Sequence, residues 1–214
     1  MSTKILLVRH GFSQANSDHV LGGQFDTPLT EVGESQAEAM SAFVRSRYSV
    51  SAVYSSDLQR AFRTAQSIAD PLGLPVISEP RMREICCGEW DGMPVERIRE
   101  KYPEEYAVWQ TSMGTARPPK GETAAIVQAR TVAALNEIAA RHPGQTVAVV
   151  THLIALLTLR CRWEGLPIER IQECELVSNC SVSEIDVDGD RWTPVALSMD
   201  SFLGGQITEI ENHA

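Results

Sequence analysis

Two stretches of this chain share a design that few folds can house. Ile5-Leu6-Leu7-Val8 is an unbroken apolar run that stops at Arg9-His10-Gly11, and Val147-Ala148-Val149-Val150-Thr151 is a second that stops at His152. A short apolar run without alternation is a strand buried on both faces, as in a parallel sheet covered by helices on either side. If the two strands are neighbours, His10 and His152 leave the sheet together at its carboxyl edge, where open α/β sheets bind ligands.

The segments between them alternate in type. A Gly-rich polar loop is expected from Gly11 to Pro28, and loops of that length in a compact domain are usually functional or disordered. Thr30 reads as the N-cap of a helix with Ala37, Met40, Phe43 and Val44 on its apolar stripe, ending near Arg47-Tyr48; Ser35 and Ser41 lie off that stripe. Val50 to Tyr54 is a second short strand. Ser55-Ser56-Asp57 are cap formers for a helix running from Leu58 to Ala69, with Arg60 in its first turn. Pro75 to Ser78 is a short strand and Glu79 to Gly92 is irregular. Pro94 to Tyr102 and Pro103 to Gln110 are helices begun by proline, and a loop follows from Thr111 to Glu122. Thr123 to Arg141 is a long helix, Thr146 to Thr151 a strand and Leu153 to Glu164 an apolar helix. Cys180 to Val187 and Trp192 to Leu197 form a hairpin around Asp188-Gly189. This alternation is an α/β architecture with a mainly parallel sheet, read as one domain over residues 1–214.

Composition narrows the classes of function. A net charge of −9 argues against a broad nucleic-acid-binding face, and no apolar stretch approaches the roughly 20 residues of a membrane span. The N-terminus has no secretory pattern, so a cytoplasmic location is expected. Five cysteines, with no C-x-x-C or other metal-ligand spacing, read as reduced and mostly buried thiols. The acidic segment Glu209 to Ala214 reads as a frayed end, and no role is assigned to His19, His142 or His213.

Two Arg and two His in one pocket would suit a tetrahedral dianion. Guanidinium forks match phosphate oxygens, and imidazole is a competent nucleophile toward phosphorus. The leaving alkoxide needs a proton, and Glu84, in a Gly-containing loop, could reach in to supply it.

These residues carry a resemblance. Leu7-Val8-Arg9-His10-Gly11 with Ser13 and Asn16 resembles the Arg-His-Gly signature of the histidine phosphatase superfamily, also called phosphoglycerate mutase-like. The likeness continues through Asp26-Thr27-Pro28-Leu29-Thr30, Tyr54-Ser55-Ser56-Asp57-Leu58-Gln59-Arg60-Ala61, Arg83-Glu84-Ile85, Gly88-Glu89-Trp90-Asp91-Gly92, Val150-Thr151-His152 and Asn179-Cys180-Ser181-Val182. It implies a three-layer α/β/α sandwich, with His10 as the nucleophile that becomes phosphohistidine. Arg9, Arg60 and His152 would hold the phosphoryl group, with Asn16 and Gly23 on the substrate side. Glu84, rather than Glu89, would be the proton donor. No metal or cofactor is implied; the partner is a small phosphorylated substrate, and the chain is expected as a monomer or homodimer.

Two positions depart from the family's pattern. Phe12 stands where an acid or amide often follows Arg-His-Gly, and Leu153-Ile154 follow the second His where glycine is usual; both make the leaving-group side narrower or more apolar. The segment between Glu84 and the long helix is short for a cofactor-dependent mutase, so the reading is a phosphatase. A phosphoglycerate mutase is the alternative enzyme, and a catalytically weak phosphate-binding protein the alternative of another class. A two-His metal hydrolase has no accompanying ligand cluster.

Overall fold

The computed structural model describes residues 1–207; Glu209 to Ala214, with His213, lies outside them. In chain order the elements are β1 (Thr3–Arg9), α1 (Gln14–Ser17), α2 (Glu31–Arg47), β2 (Val50–Ser55), α3 (Gln59–Ala69) and β3 (Val76–Ser78). There follow α4 (Val95–Lys101), α5 (Pro103–Thr111), α6 (Ala124–Arg141), β4 (Thr146–Thr151), α7 (Leu153–Glu164), β5 (Val182–Asp188) and β6 (Arg191–Met199).

The six strands form one sheet in the order β3-β2-β4-β1-β5-β6. The first four are parallel, and β5 and β6 continue the sheet antiparallel as a hairpin. β1 therefore lies inside the sheet, with β4 on one side and β5 on the other. Its register on β4 pairs Arg9 with Thr151, so the residues that follow, His10 and His152, emerge side by side.

The unbroken apolar runs have their reason in the layers. Ile5 and Leu7, with Val147 and Val149, face a core closed by α6 and α7. Leu6 and Val8, with Ala148 and Val150, face the opposite core, closed by Ala37, Met40 and Val44 of α2 and Ala61, Ala65 and Ile68 of α3. Neither face meets water, so neither selects polar residues. The result is a three-layer α/β/α sandwich with a mainly parallel sheet.

Three local expectations are corrected. The Gly11–Pro28 loop contains a short helix, α1, because Ser13 and Asn16 cap each other reciprocally, the Ser13 N–H and hydroxyl both donating to Asn16 Oδ1. Ser41, off the apolar stripe, is buried all the same, its hydroxyl donating to the Ser67 carbonyl between α2 and α3. The serines before α3 do not cap it: the cap position is Leu58, without a side-chain bond, and the Gln59 N–H donates instead to Asp26 Oδ1 at 2.8 Å. Thr30 and Thr123 do cap α2 and α6, accepting from Gly33 N–H and Ile126 N–H. No helix among the described residues is long and apolar enough to cross a membrane.

Candidate active site

A cavity of about 340 Å³ opens where β1 and β4 end, and Arg9, His10, Arg60 and Glu84 all line it. Four segments distant in sequence meet there: the end of β1, the first turn of α3, the Arg83-Glu84-Ile85 loop and the start of α7.

The His10 backbone is fixed from both sides. Its N–H donates to the Thr151 carbonyl at 3.0 Å, and its carbonyl accepts from Asn179 Nδ2 at 2.9 Å. The ring's Nδ1–H donates to the Gly11 carbonyl at 2.7 Å. A carbonyl can only accept, so the ring proton belongs on Nδ1 and Nε2 keeps its lone pair. Burial, followed by the charges of Arg60 and Arg9, holds the His10 pKa well below the ordinary imidazole value, so the ring is neutral at neutral pH. Gly11 is required by close approach: a Cβ there would lie 2.6 Å from the Gly33 carbonyl oxygen at the start of α2.

His152 is fully buried behind His10, the ring centroids 5.0 Å apart. Its proton also sits on Nδ1, but the ring is tethered through the other nitrogen. Leu58 N–H donates to Ser56 Oγ at 3.3 Å, and the only acceptor for the Ser56 proton among the described residues is His152 Nε2, 2.8 Å away. Nε2 therefore accepts, and the proton sits on Nδ1, a buried atom with no hydrogen-bond partner among the described residues. Burial, the Arg60 charge and His10 keep this ring neutral too.

Arg9 donates through Nη1 to the Val177 carbonyl at 2.6 Å, while its Nε is buried without a partner among the described residues. Burial lowers its pKa to about 10, still well above neutrality. Arg60 donates to the carbonyls of Gly23, at 2.7 Å, and Phe25, at 2.9 Å. Gly23 thus lines the cavity and also aims Arg60. Its φ of +46° and a neighbour, Asp91 Oδ1, only 1.8 Å from where a Cβ would stand leave no room for another residue. Asn16 lines the cavity, its Oδ1 engaged in the α1 cap.

Glu84 is buried, Oε1 accepting from Ile85 N–H at 2.8 Å and Oε2 from Ile154 N–H, in the first turn of α7, at 3.2 Å. Burial pushes its carboxyl up from the ordinary range, and those N–H bonds and the Arg60 charge only partly oppose it. Glu89 lies elsewhere, paired with Lys120 at 2.8 Å. His142 is also remote, bonded to the Tyr54 hydroxyl at 3.0 Å, whereas His19, given no role from sequence, lines the cavity. Leu153, where glycine is usual, begins α7 without a left-handed φ, so the backbone accepts leucine there.

Three contributors escaped the sequence reading. Ser56 was read as a helix-cap former. Asn179 stood in the closing motif block with no role assigned. Arg130, in mid-α6, donates to the carbonyls of Arg81, Arg83 and Glu84 at 2.6–2.8 Å and pairs with Glu122, fixing the loop that carries Glu84. Among the described residues, no three His, Cys, Asp or Glu side chains gather as a metal site needs.

The sequence profile of the histidine phosphatase superfamily (branch 1) matches residues 5–200. The chain belongs to that family. A histidine phosphatase relative, phosphoserine phosphatase 1 of Hydrogenobacter thermophilus, is 34% identical over 94% of this chain and 94% of its own length. A Yersinia enterocolitica protein named probable phosphoglycerate mutase is 37% identical over 88% and 87%. Among solved histidine phosphatase structures, YhfR of Bacillus stearothermophilus superposes with a TM-score of 0.90 at 29% identity, covering 94% of this chain and 99% of that one.

Proposed function

We propose that this histidine phosphatase hydrolyses small phosphomonoesters in two steps through a phosphohistidine on His10, without a metal. The supporting observation is that two imidazoles, both protonated on Nδ1, are tethered through opposite nitrogens: His10 spends its Nδ1–H on the Gly11 carbonyl and keeps the Nε2 lone pair, while His152 spends Nε2 on Ser56 and keeps its Nδ1–H.

In the first step His10 Nε2 attacks phosphorus, the P–O ester bond breaks, and the leaving oxygen takes the Glu84 proton. A carboxyl raised above its ordinary range is suited to holding that proton. Arg9 Nε, His152 Nδ1–H and Arg60 hold the phosphoryl oxygens, and an anion there gives the two orphaned buried donors the partner they lack. In the second step water attacks phosphorus, the P–N bond breaks, and Glu84 recovers a proton from the water. The mouth supports hydrolysis over transfer: Ser17 and His19 are exposed and Phe12 only half-buried, so water can enter. All five cysteines are free, which supports a reducing, cytoplasmic setting.

The test is p-nitrophenyl phosphate turnover with excess chelator present, by wild type and His10→Ala, with an alkaline quench to trap phosphoenzyme and acid treatment of the trapped species to test its lability. Expected are full wild-type activity, an acid-labile phosphoenzyme, and neither in the variant. Conversion of 2-phosphoglycerate to 3-phosphoglycerate without phosphate release would instead establish a mutase.

A further inference from the structure

Resting on the hydrolase reading, we infer that the preferred leaving group is an uncharged alcohol with an apolar ring, and that phosphate esters carrying a carboxylate are disfavoured. Charge is the first argument. Among the described residues that line the cavity, the only Lys or Arg are Arg9 and Arg60. Both stand next to His10, close enough to depress its pKa, and so belong to the phosphoryl half. Two further guanidiniums in this part of the fold are already engaged. Arg83 is bidentate on Asp57 at 2.5–2.6 Å, and Arg130 is divided between three carbonyls and Glu122. A carboxylate on the leaving group would enter beside Glu84 with no cation of its own, and a desolvated, unpaired charge is costly.

The wall itself is the second argument. Phe12 from the loop after β1, Val20 and Leu21 from the segment before α2, Trp109 from α5, and Leu153 and Ile154 from α7 all line the cavity. At about 340 Å³ the cavity is at the small end of ligand sites, room for a phosphoryl group and a one- or two-ring alcohol. The polar lining outside the phosphoryl half includes Ser17 and His19, both exposed, where a hydroxyl on the ring could be met without desolvation.

The comparison needs esters of similar intrinsic reactivity, so 2-phenylethyl phosphate is set against O-phosphoserine and 3-phosphoglycerate, all primary alkyl esters. Wild-type kcat/KM for the phenylethyl ester should exceed both others by about ten- to hundredfold, the range expected for burying one aromatic ring. Phe12→Ala should shrink that ratio by about tenfold. Calorimetric titration of His10→Ala, which cannot turn substrate over, should give the same order of affinity. Equal or better turnover and binding of phosphoserine or 3-phosphoglycerate overturns the inference; if His19→Gln then removes that preference, His19 is the residue that binds the carboxylate. Hydrolysis of none of the three esters, with the affinity order intact in His10→Ala, defeats the hydrolase reading and leaves the pocket assignment standing.

Discussion

Replacing Ser56 with alanine removes one oxygen from a fully buried position and so tests the His152 arrangement directly. Two losses follow, of different kinds. His152 Nε2 loses its 2.8 Å partner and becomes an unsatisfied buried acceptor, which costs about 1–3 kcal/mol of stability. For a chain of this size that lowers the melting temperature by about 2–4 °C per kcal/mol. The second loss is chemical. Without the Ser56 proton to hold Nε2 as acceptor, the ring is free to carry its own proton on Nε2, leaving no donor at Nδ1. A hydrogen bond to a charged phosphoryl oxygen is worth about 1.5–3 kcal/mol, so kcat/KM should fall by about ten- to hundredfold. Steady-state kinetics on p-nitrophenyl phosphate reads the second loss, thermal melting the first, and the 15N shifts of the His152 ring report the tautomer. Ser56→Thr keeps the hydroxyl and should restore most of kcat/KM even where the extra methyl lowers the melting temperature. If Ser56→Ala melts lower yet keeps kcat/KM within about threefold of wild type, Ser56 is a packing residue only.

Other outcomes are expected on the same reasoning. The Glu84 carboxyl is raised by burial, so its acid form persists above the ordinary range; kcat/KM should fall as pH rises through that value, and Glu84→Gln should erase the alkaline limb and slow turnover by about 10²–10⁴-fold. His10 and His152, both depressed and neutral when folded, bind protons only on unfolding; stability should therefore decline as pH drops below about 6.5, seen as a falling denaturant midpoint. Gly11→Ala would press a Cβ to 2.6 Å from the Gly33 carbonyl oxygen, costing about 1–3 kcal/mol by urea melts. Arg130→Met should cost about 3 kcal/mol or more and lower kcat through the loosened Glu84 loop; unchanged kcat would show that the loop needs no such tether.

Sequence reasoning reached furthest where a residue's role is set by its own strand or loop. Arg9, His10 and His152 follow apolar runs whose lack of alternation already implies burial on both faces, and the β1–β4 register then brings the histidines together. Arg60 and Glu84 stand inside motif blocks, and both line the cavity. What stayed hidden depends on partners far along the chain. Ser56 looks like a cap until His152, 96 residues later, is seen to take its proton. Arg130 is one more polar residue of a long helix until three carbonyls from another loop converge on it. Ser41 breaks an apolar stripe yet is buried, because a backbone carbonyl on α3 satisfies its hydroxyl.

The position of β1 inside the sheet has a consequence for how the protein is made. β1 is made before every other strand of this sheet, but its neighbours β4 and β5 begin only at Thr146 and Val182. At about 5–20 residues per second, a nascent chain carries Ile5-Leu6-Leu7-Val8 for on the order of ten seconds with both strand edges open. Over that interval the segment is a bare apolar strand, the kind that chaperones capture and that other nascent chains can pair with. His10 also lacks its buried neighbour throughout, because His152 has not yet been synthesised. The earliest strand of the sheet thus gains its second neighbour only when β5 is made, and the cavity at its end cannot close before then.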